Sequence, residues 1–336
     1  MKTFRRNIPL FTLLLVTAAS LIITSCSGVR VYKHAGLLKD IPLNIIVVGQ
    51  REPDWNRVNS FVNEKVSLFD HRDEQSPLFE LNRSGKAKFP PELLATMREA
   101  LAIARKSGGA FDPTIYALTR AWDFDHGGRL PSRREIEEAK AHVNYKRLIL
   151  DAGGIATLPE GFGVDLGGIA KGAIVDLLGD YLESLGYDGY LIEAGGDILV
   201  RGLKKGARWK IGIKHPRKLN EFVGIVSLGE SNKRLAIVTS GDYEQYFEKD
   251  GVRYHHILDP STGYPARGLV SVTIIAGSCT EADALSTAAF VMGYDRGFKM
   301  IRDMNGIEGL FVTEKGGNLS AEETEGFPLP LSELKL

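Results

Sequence analysis

Cysteine is nearly absent from this 336-residue chain; Cys26 and Cys279 are the only two. If Cys26 is consumed by processing, no pair is left for an intramolecular disulfide. Cys279 then reads as a small apolar core residue. Net charge is also missing, because Lys+Arg and Asp+Glu both number 42. That balance excludes the basic excess by which proteins hold nucleic acid. Long apolar runs are limited to one, from Ile8 to Ile23, and no second stretch could cross a bilayer. Internal repeats and long linkers are lacking too.

The one apolar run has a recognisable job. Lys2, Arg5 and Arg6 precede it, and it ends in Ile23-Thr24-Ser25-Cys26. A positive start, an apolar middle and small residues at the end form a secretory signal. A cysteine directly after the small residue resembles the bacterial lipoprotein signal, in which the thiol is acylated and becomes the new N-terminus. The expected division is a signal peptide over 1–25 and a mature domain over 26–336, with its core at about 41–312. The expected location is the cell envelope, facing the periplasm, with the membrane as a partner through the lipid on Cys26. Ser27 does not choose between inner and outer membrane. The alternative is an uncleaved membrane helix.

The remainder is globular in composition, with 43% hydrophobic and 25% charged residues over the whole chain. It is long enough for a large core. Apolar spacing predicts a strand over Ile41 to Val48 and helices over Asp54 to Phe69 and Pro91 to Ser107. Pro90-Pro91 and Gly108-Gly109 punctuate the second helix. A further helix is expected over Pro131 to Ala141, opened by Ser132. His71 to Ser76 reads as a loop, and Arg147 to Leu158 as a hairpin around Gly153-Gly154. Beyond it, helices are expected at Lys171 to Leu185, Thr280 to Met292 and Gly297 to Met304. Strands are expected near Tyr190, Ile198, Trp209, Val223, Leu235, Val270 and Leu310. The tail after Gly316 reads as loose. Strands and helices interleave without βαβ regularity, which predicts an α+β fold.

Four stretches are candidates for chemistry. Val164-Asp165-Leu166-Gly167-Gly168-Ile169-Ala170-Lys171-Gly172 feeds a helix, so its backbone can approach an anion and Lys171 adds a point charge. It fits neither a Walker A loop nor a dinucleotide fingerprint, and a plain turn is the alternative. Asp283 and Thr287 stand four apart and share a helix face. A carboxylate and a hydroxyl are hard ligands of the kind magnesium takes alongside water and phosphate; helix-dipole and back-bonding roles are the alternative. His255 and His256 point to opposite sides of a strand, so only one faces a given site. Gly109-Ala110-Phe111-Asp112-Pro113-Thr114 closes a helix, with Trp122 beyond it; Phe111 and Trp122 read as core.

Taken together and in order, these stretches resemble the ApbE family of FAD:protein FMN transferases. Ser76-Pro77-Leu78-Phe79-Glu80-Leu81-Asn82, Gly195-Gly196-Asp197-Ile198 and Thr239-Ser240-Gly241-Asp242-Tyr243 add to the match, which runs from about Ile41 to Val312. The resemblance implies a two-lobed α+β unit of mixed or antiparallel sheets with flanking helices, and an FAD cleft between the lobes. It implies FAD as substrate, Mg2+ on its pyrophosphate, transfer of FMN to a threonine of a flavoprotein acceptor, and release of AMP. Ala110, Phe111, Asp112, Asp165, Lys171 and Ile257 would then contact FAD. The Gly168 carbonyl, Asp283 and Thr287 would hold the metal, and His256 would serve the phosphoryl transfer. The expected acceptors are flavoprotein subunits of Rnf-type or sodium-pumping NADH:quinone reductase complexes. The family's Met-Gly-Thr-like first-strand segment is replaced here by Lys39-Asp40-Ile41-Pro42-Leu43. The rival readings are an FAD pyrophosphatase with water as acceptor and a non-catalytic FAD-binding lipoprotein.

Overall fold

The computed structural model describes residues 28–230, 232–329 and 333–336. The signal segment and Cys26 therefore lie outside the described residues. The chain starts with two long strands, β1 (Arg30–Leu38) and β2 (Ile41–Gly49), then helices α1 (Trp55–Phe69) and α2 (Pro77–Ser84). Strand β3 (Lys86–Lys88) leads to α3 (Pro91–Lys106), α4 (Tyr116–Trp122) and α5 (Arg133–Lys140). Two short strands, β4 (Ile149–Leu150) and β5 (Ile155–Thr157), precede helix α6 (Ala170–Ser184). A run of strands follows: β6 (Gly189–Ala194), β7 (Asp197–Arg201), β8 (Trp209–Lys214), β9 (Phe222–Leu228), β10 (Arg234–Gly241), β11 (Tyr246–Lys249), β12 (Val252–His255) and β13 (Ser271–Ala276). Helices α7 (Cys279–Met292) and α8 (Tyr294–Arg302) and strands β14 (Glu308–Lys315) and β15 (Asn318–Glu323) complete the chain.

An eight-stranded sheet in the order β1-β2-β6-β7-β10-β13-β14-β15 organises the molecule, and its neighbouring strands pair antiparallel. One face packs against α1, α6, α7 and α8, with α3 stacked on α7, and carries the main core, including Ile45, Ile192, Val238 and Leu285. The other face is covered by the β8–β9 hairpin around Trp209, Ile211, Val226 and Ile237. Each fully buried aliphatic side chain contributes about 1.5–3 kcal/mol, which drives the two layers onto the sheet. A separate cluster of Leu118, Trp122, Ile136, Ala139 and Leu258 forms a small lobe of its own. The α+β expectation thus takes a definite form, one large antiparallel sheet with helices on one face.

Local sequence explains several boundaries. Asp54 caps α1 rather than joining it, its Oδ1 accepting from Asn56 and Arg57 N–H. Ser132 and Glu135 form a reciprocal capping box on α5. Two expectations are corrected. The tail after Gly316 is not loose, because β15 pairs along β14. Beyond the His71–Ser76 loop lies a helix that the spacing did not announce, capped by Ser76 and opened by Pro77. Strand β1, ahead of the expected core, pairs along all of β2.

Candidate active site

Helices α6 and α7 cross at a point where neither leaves room for a side chain. A Cβ on Gly172 would stand 2.3 Å from the Cys279 carbonyl oxygen. The two helices cap one another there. Helix α6 has no side-chain cap of its own, and Asp283 Oδ2 of α7 accepts the Gly172 N–H at 3.1 Å. In return Asp176 of α6 accepts Cys279 N–H at 2.9 Å and Thr280 N–H at 2.8 Å. Helix ends leave such donors without intrahelical partners, so the exchange satisfies both.

Around this crossing the structure gathers the expected phosphate and metal residues. Lys171 forms a short ion pair with Asp197, whose side chain is fully buried at the start of β7. Burial alone would lower the Lys171 pKa, but the charges of Asp197 and Asp283 and the Asp197 hydrogen bond outweigh it and raise it. Asp197 and Asp283 are both pushed up, above all by burial; each also gains from Lys171, which offsets only part of the cost. Among the described residues Lys171 pairs directly with Asp197 alone, the Asp283 carboxyl stands against that of Asp197, and Asp197 Oδ2 receives no donor. One turn further along α7, Thr287 Oγ1 lies 3.2 Å from where a Gly168 Cβ would stand. Ser240 Oγ lies 2.8 Å from Ser286 Oγ and 3.3 Å from Thr287 Oγ1.

This donor set fits a hard divalent cation. It has excess buried negative charge, a hydroxyl, a glycine backbone within reach and an orphaned carboxylate oxygen. Among the described residues no three His, Cys, Asp or Glu side chains converge as a metal cluster. A cation here would depend on the carbonyl of Gly168 and the hydroxyl of Thr287 as well as Asp283.

The other predicted residues border the same place. Phe111 is buried, with its ring edge 3.2 Å from the Gly168 Cβ position, and Ala110 packs beside the core. Asp112 is occupied: Oδ1 accepts from Thr114 N–H and Oγ1, and Oδ2 accepts from Tyr145 N–H at 2.9 Å. Burial raises its pKa and those bonds oppose the rise. Asp165 turns the glycine-rich loop by accepting Gly167 N–H at 2.8 Å. Asn82 pins that loop with both amide atoms on Val164, at 2.6 and 2.8 Å. Ile257 is buried in the main core.

The expectation that both histidines share a strand is corrected: β12 ends at His255, which is buried, and His256 falls in the bend just beyond it. His255 is 2% exposed, packs edge-on to Phe290, and its Nε2–H donates to the Ala266 carbonyl at 2.9 Å. His256 is half-buried, and its Nδ1–H donates to the Gln245 carbonyl at 3.2 Å. That bond fixes the tautomer and leaves Nε2 as the acceptor. Burial lowers the His256 pKa; the Gln245 bond opposes this, Lys171 adds to it and Asp165 works against it. The charges of both flanking motifs therefore reach this ring.

Sequence reading assigned no role to Asp197, Ser240 or Ser286. The signal was present for Asp197, a carboxylate directly after the Gly195-Gly196 turn. Gly195 needs its missing side chain, since a Cβ there would stand 2.5 Å from Ile41 Cγ2 and 4.0 Å from Lys171 Cδ. Ile41, which opens β2 within the divergent Lys39–Leu43 segment, thus lies against the Lys171 corner of the site.

Geometry of this kind defines a class: an α+β protein with a buried lysine–carboxylate cluster beside a glycine-rich helix N-terminus. The particular family follows from comparison with known proteins. The ApbE family profile matches residues 42–311. The chain is 34% identical to the FAD:protein FMN transferase of Treponema pallidum, over 86% of this chain and 87% of that protein. It is 34% identical to the FAD:protein FMN transferase of Vibrio cholerae, over 78% and 79% of the two chains. Among solved structures, the ApbE protein of Thermotoga maritima superposes with a TM-score of 0.80 at 37% identity, covering 89% of this chain and 98% of that one. The flavin transferase ApbE of Vibrio cholerae superposes with a TM-score of 0.78 at 29% identity, over 89% and 98%. The chain belongs to the ApbE family.

Proposed function

We propose that this protein cleaves FAD in a Mg2+-dependent reaction and attaches the FMN half to a threonine of an acceptor flavoprotein, releasing AMP. The observation that carries the reading is the buried Lys171–Asp197–Asp283 group, set beside Gly168 and Thr287 at the N-terminus of α6. Phosphoryl transfer needs positioning and charge neutralisation more than covalent help. Lys171 and the α6 N-terminus hold the pyrophosphate. Asp283, through its second oxygen, Thr287 Oγ1 and the Gly168 carbonyl would hold the cation, which when bound neutralises charge on the phosphate oxygens. Asp197 keeps Lys171 extended toward the phosphates. Phe111 and Ala110 border the flavin, and Asp112 shapes their loop through Thr114 and Tyr145.

In the chemical step the acceptor threonine Oγ attacks the FMN phosphorus, and the bond from that phosphorus to the bridging oxygen breaks. AMP leaves with the bridging oxygen, and the threonine proton passes to Nε2 of His256. A positioned base of this kind contributes about 10²–10⁴-fold. The acceptors would be flavoprotein subunits of Rnf-type or sodium-pumping NADH:quinone reductase complexes that face the periplasm. Acylation at Cys26 would hold the enzyme on the same side of the membrane.

One incubation tests the reading: FAD, Mg2+ and a threonine-bearing acceptor peptide, reading AMP release and flavin fluorescence on the peptide. Stoichiometric AMP and labelled peptide support transfer. AMP without label means a pyrophosphatase, and neither product means a binding protein.

A further inference from the structure

Strand register separates two ends of the molecule. Arg30, where the chain enters β1, pairs with Gly49, and the adjacent Val48 pairs with Gly189. Tyr190 in turn pairs with Arg201, the last residue of β7. Arg30, Gly189 and Arg201 therefore lie along one edge of the sheet. The Gly195–Gly196 turn, Ile41 and Lys171 lie at the opposite edge. Strand β1 is nine residues long, which places these edges about 26 Å apart.

The entry edge bears a basic turn. Directly after Arg201, Lys204 and Ala207 exchange backbone hydrogen bonds at 2.8 and 3.1 Å, closing a tight turn. Lys204, Lys205 and Arg208 are exposed on it and form no ion pair among the described residues; Lys204 also lies over the Trp209 ring. Arg30 is exposed nearby. Four carboxylates of this edge are matched to other cations, Asp180 and Glu183 to Arg234, Asp188 to Arg201 and Glu230 to Lys233, while Glu52 bonds to Trp55 and Glu308 to Thr324 and Gly326. The turn thus carries three unmatched positive charges in a chain of zero net charge.

We propose that this edge rests on an anionic bilayer surface through Lys204, Lys205 and Arg208, so that the flavin site points away from the membrane. The inference rests on the reading of Cys26 as the lipid anchor. Three residues lie between Cys26 and Arg30, a span of at most about 14 Å when extended, so an acylated Cys26 holds this edge near the headgroups. Anionic lipid attracts cations near its surface, each contributing about fivefold to binding. A rival face exists: Leu219, Phe222 and Ile225 are exposed on the β8–β9 hairpin. Phe222 pairs with Lys214, which lines a cavity of about 200 Å³ with Gly196 and Glu244, so the hairpin tip lies at the site edge and far from the tether.

The full-length acylated protein, reconstituted in vesicles with or without 30% phosphatidylglycerol (about a third anionic lipid), decides this by amide hydrogen exchange. The expected result is protection at 203–208 with anionic vesicles only, lost in 0.5 M salt (about a 4 Å Debye length). The K204E/K205E/R208E variant loses that protection too, and its FMN transfer to a soluble peptide is unchanged. Equal exchange at 203–208 in both vesicles, or protection at 217–222 instead, overturns the proposal. The intact mass of the mature protein is read alongside: a missing acyl group removes the anchor reading, while the response at 203–208 still decides the charged face.

Discussion

At His256 a single hydrogen bond determines what the ring can do. Because Nδ1–H is spent on the Gln245 carbonyl, Nε2 is the proton acceptor, and the lowered pKa keeps the ring neutral near pH 7. His256→Ala is expected to lose about 10²–10⁴-fold in transfer rate. FAD affinity should change little, as read by equilibrium titration. Its neighbour should behave differently. His255→Ala leaves the Ala266 carbonyl without its donor and opens a gap beside Phe290, costing about 1–3 kcal/mol in urea denaturation. Rate per folded molecule should be retained. Burial also drives the His255 pKa down to about 4. Its unfolded value is near 6.5, so the unfolded chain binds the extra proton between those values. Stability from this residue is therefore present above pH 6.5 and falls as pH drops toward 4, and His255→Phe should flatten that part of the profile. Asp283 needs a similar distinction between chemistry and structure. Asp283→Ala removes both a cation ligand and the acceptor of the Gly172 N–H. Asp283→Asn keeps an oxygen for Gly172 and should fold normally while losing Mg2+-dependent transfer; full activity in that variant would refute the assignment.

The helix pair α6 and α7 sets the geometry of the site. Gly172→Ala should force the backbones apart at Cys279, costing about 1–3 kcal/mol and weakening transfer even though no ligand is removed. Circular dichroism melts and transfer rates on the same preparation check this. Helix α3 contributes a further pH effect. Glu99 is pushed up to about 7, first by burial and then by Glu281 and Asp176. Its folded pKa exceeds its unfolded value of about 4.5, so its cost is absent at pH 4.5 and complete above pH 7. Glu99→Gln should raise stability at pH 8 by about 1 kcal/mol after allowance for solvent screening and have no effect at pH 4.5. Legibility in the sequence followed burial at this scale. Helix α3 was evident because Pro90-Pro91 and Gly108 bracket an amphipathic run. Two of the unread strands, β1 and β15, are the outer strands of the large sheet, where half-wet faces erase the apolar alternation. The shared helix face of Asp283 and Thr287 could be read from their four-residue spacing, whereas a metal role comes only from the family resemblance. The pairing of Asp197 with Lys171 could not be read, because it joins a turn and a helix end through tertiary packing alone.

Across the whole molecule, the buried excess charge at the site predicts a link between ligand and stability. Mg2+ with FAD should raise Tm in proportion to occupancy, and EDTA should reverse the rise. A Cys26→Ser variant should be found unprocessed or released from the membrane fraction. The length of the large sheet gives a last consequence. With the entry edge on the bilayer, the reacting atoms stand about 26 Å above it. Reach, and not only local sequence, then selects the acceptor. A threonine in a segment lying flat on the headgroups is too low, whereas one carried on a projecting domain meets the site. Acceptor peptides fixed to vesicles through spacers of graded height should be flavinylated only above a threshold height, and free peptide should be flavinylated with no such threshold.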